Sequence, residues 1–167
     1  MQIKELTLED DLVLKIGLLR DTQVVGLLKE HHNDMLNHSP PESVHALDLT
    51  KLEDKSISFI TLWKDNTLLT MGAYKQLDIA HVELKSMRTC EHAKNQGFAQ
   101  VLLNEIIKLC RQNGVQRISL ETGTAAAFEP AHRLYSKFGF IECPPFGDYQ
   151  HDPYSQFMTY AINNSNT

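Results

Sequence analysis

The hexapeptide Lys94-Asn95-Gln96-Gly97-Phe98-Ala99 sets a basic side chain, a glycine and a small residue at the start of a run with helical apolar spacing. A loop of this kind can turn several backbone N–H groups outward at a helix N-terminus, where about half a positive charge resides, and so hold a phosphate. The plain alternative is a glycine that only makes a turn before a helix. Upstream, Glu83 stands between Val82 and Leu84, apolar neighbours that would raise a carboxylate's pKa and suit it to proton abstraction. Its alternative is a solvated strand residue paired with Lys85 or Arg88. Glu121, in the run RISLET, is a reserve base facing the same cleft, or a cap for the helix that follows. Tyr135 carries a phenol whose ordinary pKa of about 10 lies within reach of a thiol's; alternatively it is a core aromatic on a helix face shared with Leu134 and Phe138.

These residues need elements to hold them. Val82, Leu84 and Met87 sit in a short run bounded by polar turns, so His81 to Thr89 reads as a strand, and Ala99, Leu102, Leu103, Ile106 and Cys110 give the long helix after the loop. Before them, Leu12 to Leu18 reads as a strand after a loosely defined N-terminal segment. Asp21 is a plausible N-cap for a helix carrying Val24, Leu27, Leu28, His31 and Met35, which ends towards Pro40-Pro41. The segment PPESVHALDLTKLED reads as a short second helix. Ile57 to Lys64 and Leu68 to Leu77 flank Asp65-Asn66 as a hairpin. After the central helix, Gly114 gives a stop and Arg117 to Thr122 a buried-type strand; Pro130 opens a last helix ending at Gly139. Strands at Phe140 to Cys143 and Gln156 to Ala161 close the order, joined by the turn-rich PPFGDYQHDPYS.

Strand, then basic-x-x-Gly-x-Ala, then a long amphipathic helix resembles the acetyl-CoA motif of the GNAT N-acetyltransferase superfamily, Gln/Arg-x-x-Gly-x-Gly/Ala. Lys94, Gly97 and Ala99 fall on its three marked positions, and HRLYSKFGF resembles the closing Leu-Tyr-x-x-x-Gly-Phe motif. The resemblance covers nearly the whole chain and implies a small single-domain bacterial member. Its fold would be the α/β acyl-CoA N-acyltransferase fold, with a mixed, mostly antiparallel central sheet of about six to seven strands flanked by helices. The domain would span 1–162, with 163–167 a disordered tail.

The same resemblance implies acetyl-CoA as cosubstrate, bound by Lys94, Asn95, Gln96, Gly97, Phe98 and Ala99 and by the backbone around Met87, Arg88 and Thr89. It implies direct attack by the amine of a small-molecule acceptor, with Glu83 as base and Tyr135 as the acid that protonates the leaving thiolate. Acceptor groups are expected at His45, Asp148 and Tyr149, on the wall built by the first helices and the loop between the last two strands. Two positions depart from the family pattern. Lys94 keeps the charge of the first motif position but loses the planar fork of arginine, and Phe128 stands where many members place an asparagine.

Composition narrows the partners. With 167 residues, 42% apolar content and a formal charge of −5, the chain is one domain with a full core and a poor match for nucleic acid or an anionic membrane. The N-terminus is acidic and no apolar run approaches the ~20 residues that cross a bilayer, so a cytoplasmic protein is expected. Cys90, Cys110 and Cys143 lack CxxC spacing, and the eight histidines fit no common zinc pattern. No metal is therefore expected, and His31 reads as a satisfied core histidine. Many members dimerise, so a homodimer stays open. The competing function is a coenzyme-A-binding module without turnover, acting as a sensor or partner subunit.

Overall fold

The computed structural model describes residues 3–17, 20–44 and 49–162. One sheet of eight strands forms the frame: β1 (Lys4–Thr7), β2 (Leu12–Ile16), β3 (Ile57–Lys64), β4 (Thr67–Gln76), β5 (His81–Thr89), β6 (Arg117–Gly123), β7 (Ile141–Cys143) and β8 (Ser155–Ala161). Their order is β1-β2-β3-β4-β5-β6-β8-β7. Every neighbouring pair is antiparallel except β5 and β6, which run parallel. The sheet thus has more strands than the six to seven expected. The addition is β1, which the sequence hides because its four residues are largely exposed and bear no alternating apolar pattern.

Helix α1 (Thr22–His38) starts where Asp21 accepts a hydrogen bond from the Gln23 N–H at 2.8 Å, satisfying one of the free donors of the first turn. Its Val24, Leu27 and Leu28 pack with Phe59, Trp63 and Met71 against one face of the sheet. The opposite face carries the larger core, in which Leu102, Leu103, Ile106 and Cys110 of α2 (Phe98–Gln112) meet Val82, Leu84, Ile118 and Leu120. Helix α3 (Glu129–Phe138) joins this second layer through Tyr135. Between β3 and β4, Asp65 and Asn66 take left-handed φ values of 50° and 63°, the conformation that a two-residue hairpin needs. The expected second helix is replaced by two separate single turns, Pro41–Ser43 and Lys51–Glu53. Residues 45–48 lie outside the described residues, as does the expected tail at 163–167.

The sheet contains one interruption that matters for the site. The β4–β5 register runs Ala73↔Lys85 and then Met71↔Arg88, so β5 holds an extra residue there. Ser86 takes a left-handed φ of 58° to make this bulge. Gly72 makes room for it, because a Cβ on that residue would stand 2.5 Å from the Met87 sulfur and 3.2 Å from Ile106.

Candidate active site

The parallel β5–β6 ladder stops at Leu84↔Leu120. Beyond that point β5 stays with β4 as far as Thr89, and β6 stays with β8 as far as Gly123. The two strands therefore diverge and leave one edge of β5 without a strand partner. The fork opens into a cavity of ≈ 110 Å³, walled by Glu83 and Ser86 of β5, Glu121 of β6, Tyr135 of α3 and His31 of α1.

Glu83 is only 4% exposed. The Lys85 ammonium donates to its Oε2 at 3.0 Å and to the Tyr149 hydroxyl oxygen at 3.1 Å, and that hydroxyl in turn donates to the same Oε2. The pairing with Lys85 was one of the two sequence readings of Glu83. The bond to Tyr149 was not foreseen, since 66 residues separate the partners. Tyr149 sits in the β7–β8 loop, where its N–H closes a turn on the Phe146 carbonyl at 3.1 Å. Its ring packs 5.2 Å from that of Phe146 and 5.3 Å from that of Phe157. Burial first, then the charge and hydrogen bond of Glu83, raise the Tyr149 phenol well above its ordinary value, so it stays protonated. On the outer side of this cluster lies an open cleft of ≈ 730 Å³ lined by Gln76, Phe146, Asp148, His151 and Asp152, with Glu83 and Lys85 common to both spaces. Asp148 lies exposed at that cleft. His45, the third expected acceptor residue, lies outside the described residues.

Glu121 has a perturbed carboxyl. Burial moves it from 4.5 up to about 7; the nearby Ser155 hydroxyl and then the Lys85 charge pull it down, and the charges of Glu83 and Asp152 push it up by less. Asp152 is itself fixed, accepting from Ser43 Oγ at 2.5 Å, which ties the Pro41–Ser43 turn to the β7–β8 loop. Tyr135 is buried on α3 with its ring 5.6 Å from Phe140, and burial raises its phenol above the ordinary range.

The loop into α2 has the expected shape. Asn95 and Gly97 take left-handed φ values of 63° and 86°, and Gly97 caps the helix without any side-chain hydrogen bond. A Cβ on Gly97 would meet nothing within 4 Å, and the first-turn N–H groups of a helix have no partner within it. Gln96 is drawn back, donating to the His92 carbonyl at 3.1 Å. Lys94 pairs with Glu91 at 2.7 Å, a surface contact worth about 0–1 kcal/mol. Of the β5 positions expected at the cofactor, Met87 and Thr89 turn to β4, with Met87 against Gly72 and the Thr89 hydroxyl on Thr70 at 3.1 Å. The Arg88 guanidinium is gripped by α1, donating to Asp34 at 2.7 Å and Glu30 at 3.0 Å. Phe128, at the family's asparagine position, is buried.

His31 is buried, but it is not the satisfied core histidine that its helix position suggested. Its Nδ1 has no hydrogen-bond partner among the described residues, and the residue lines the cavity. Among the described residues no three His, Cys, Asp or Glu side chains gather in a way that could hold a metal ion, and no helix is long and apolar enough to cross a membrane.

The profile of the Acetyltransferase (GNAT) family matches residues 22–140. The uncharacterized N-acetyltransferase YsnE of Bacillus subtilis (strain 168) is 48% identical over 146 residues, covering 87% of this chain and 97% of that protein. YedL of Escherichia coli (strain K12), likewise an uncharacterized N-acetyltransferase, is 41% identical over 153 residues, covering 92% and 96%. Among solved structures, a GNAT family acetyltransferase from Elizabethkingia anophelis with acetyl-CoA bound superposes with a TM-score of 0.63 at 16% identity, over 92% of this chain and 100% of that one. At that identity the likeness is one of fold.

Proposed function

Since the chain belongs to the GNAT acetyltransferase family, we propose that it moves an acetyl group from acetyl-CoA to the amine of a small-molecule acceptor by direct attack in a ternary complex. The observation that carries this reading is the fork cavity, where the Glu121 carboxylate and the Tyr135 phenol line one space. A base and an acid lining one cavity are what thioester aminolysis requires.

The chain's residues fit acetyl-CoA. Its pyrophosphate would lie over Asn95 to Ala99, where the helix start supplies N–H donors and positive potential, and Lys94 can leave its weak surface pair to meet a phosphate. The unpartnered edge of β5 around Met87 to Thr89 would give backbone N–H and C=O groups to the pantetheine arm and the thioester carbonyl. Arg88 contributes there through its backbone, because its guanidinium is held by α1. When bound, acetyl-CoA supplies the activated acyl group.

We assign the base to Glu121 rather than to Glu83, which the sequence favoured. Glu83 has Oε2 occupied by Lys85 and Tyr149, and its work is to hold those two side chains where the cavity meets the outer cleft. Glu121, with its carboxyl at about 7, is half ionised near neutral pH and strong enough to take a proton from the attacking amine. Tyr135 gives its proton to the departing thiolate. Burial raises the phenol, and the same low-dielectric cavity raises a thiol placed beside it, so their match survives desolvation. Tyr149 and Asp148 line the outer cleft, the route for the acceptor, where an exposed carboxylate attracts a cationic amine.

A screen of amines with acetyl-CoA, read by release of free thiol, tests the proposal. Release that depends on an amine supports it. Binding of acetyl-CoA without release under any amine would make the chain a coenzyme-A-binding module.

A further inference from the structure

Two buried side chains on the cavity wall take no part in this chemistry. Nδ1 of His31 and Oγ of Ser86 find no hydrogen-bond partner among the described residues, although each residue is only 9% exposed. Both line the same cavity as Glu121 and Tyr135. Two further atoms, Arg88 Nε and Ser155 Oγ, share this state but belong to residues off the cavity wall, whereas other buried polar groups are paired, as with Trp63 Nε1 on Thr61 Oγ1 at 2.7 Å and Ser119 Oγ with Thr159 Oγ1 at 2.9 Å. Leaving a buried donor or acceptor unpaired carries a free-energy penalty. Two such atoms on one cavity wall mark a place where a ligand completes the pairing.

The surroundings specify the ligand group. Burial and then the Arg88 charge lower His31 to about 4, so the imidazole is neutral at physiological pH and offers one donor and one acceptor nitrogen. Ser86 offers a hydroxyl that donates and accepts. Arg88, two residues along β5 from Ser86, is fixed by Asp34 and Glu30 on either side of His31 in sequence, and its charge opposes a cation there. Glu83 and Glu121 in the same cavity oppose an anion. What remains is a neutral group able to give and take a hydrogen bond, which is a hydroxyl.

We propose that His31 and Ser86 form a subsite for a hydroxyl group of the acceptor, and that the acceptors are accordingly amino alcohols rather than simple alkylamines or amino acids. The proposal rests on the acetyl-transfer reading and narrows it to a substrate class. The hydroxyl would donate to His31 and accept from Ser86 while the amine faces Glu121.

The test compares 2-aminoethanol, 3-amino-1-propanol and 4-amino-1-butanol, each against the alkylamine in which a methyl group replaces the hydroxyl. The expected result is a preference in kcat/KM of about tenfold or more for the hydroxylated member of at least one pair, a ratio equivalent to about 1.4 kcal/mol. In His31→Leu and in Ser86→Ala this preference should shrink to about twofold or less, with the acetyl-CoA dissociation constant unchanged. His31→Leu removes an unpartnered buried polar atom, so its melting temperature should hold or rise by about 2–4 °C, which shows that it folds. Thiol release with alkylamines and amino alcohols alike, or a preference that survives both substitutions, overturns the subsite while leaving acetyl transfer intact. A larger rate with a matched amino acid overturns the hydroxyl assignment. No release with any amine defeats the acetyl-transfer reading, and the subsite falls with it.

Discussion

Replacing Glu121 by glutamine removes one proton-binding group and keeps nearly the same volume, so two pH dependences should change together. The folded carboxyl sits at about 7 in place of 4.5, mainly through burial, and at about 1.4 kcal/mol per pH unit the difference comes to about 3 kcal/mol. The sign follows from which state binds the proton more tightly. Below 4.5 the carboxyl is protonated in folded and unfolded chains alike and costs nothing. Between 4.5 and about 7 the unfolded chain gives up a proton that the folded chain still holds, so wild type loses up to about 3 kcal/mol relative to the glutamine variant, and above about 7 the difference stays level. Urea unfolding of both proteins from about pH 4.5 to about pH 8 measures this as a narrowing, then a reversal or deficit, in wild-type stability. Turnover should move the opposite way: wild-type kcat climbs with pH up to about 7, whereas Glu121→Gln lacks that limb and is slower by about 10² to 10⁴. Using one acceptor for both proteins keeps the amine's own titration in each profile, so a limb that disappears belongs to Glu121. A variant that keeps the wild-type limb and rate refutes the assignment of the base, and parallel stability curves refute the burial argument beneath it.

Glu83→Gln should behave differently, because it strips Lys85 of its buried partner; a loss of about 3–5 kcal/mol in unfolding free energy is expected, and a stability equal to wild type would remove Glu83 from its positioning role. Tyr135→Phe should lower kcat by about 10² or more with the acetyl-CoA dissociation constant unchanged in calorimetry; unchanged kcat would leave Tyr135 a core aromatic. Gly97→Val should weaken acetyl-CoA at least about tenfold, or about 1.4 kcal/mol, since a branched side chain would intrude on the open space above the loop and resist the left-handed φ; unaltered affinity would move the phosphates elsewhere. Tyr149→Ala should raise the acceptor KM and spare that of acetyl-CoA, and equal effects on both would point to a folding defect.

Local pattern made much of this fold legible. β5 stands where a short apolar run between polar turns placed it, α2 where the helical spacing did, and Asp21 caps α1 as its type and position suggested. β1 escaped because a short exposed edge strand carries no burial signal. The site was legible in residue types more than in partnerships. That Glu83 would meet Tyr149, or that burial would raise the Glu121 carboxyl, depends on side chains brought together across the sheet, and no local spacing encodes that. His31 was misread for the same reason. Its place on the apolar stripe of α1 foretold burial, but the cavity that His31 lines is a property of where β5 and β6 part.

The extra residue in β5 also fixes how this strand can vary in length. Side chains alternate strictly along a strand, so Lys85 and Arg88, three positions apart, would point to opposite sides of an uninterrupted sheet. With Ser86 bulged out, both belong to the α1 side, Lys85 opposite Ala73 and Arg88 opposite Met71, while Met87 is turned to Gly72 on the α2 side. Deleting Ser86 would leave Lys85, Met87 and Arg88 in plain alternation opposite Ala73, Gly72 and Met71, each on the side it now occupies, and would turn the bulge into an ordinary ladder. Related chains should therefore tolerate a gap at Ser86 without any exchange of side chains between the two layers.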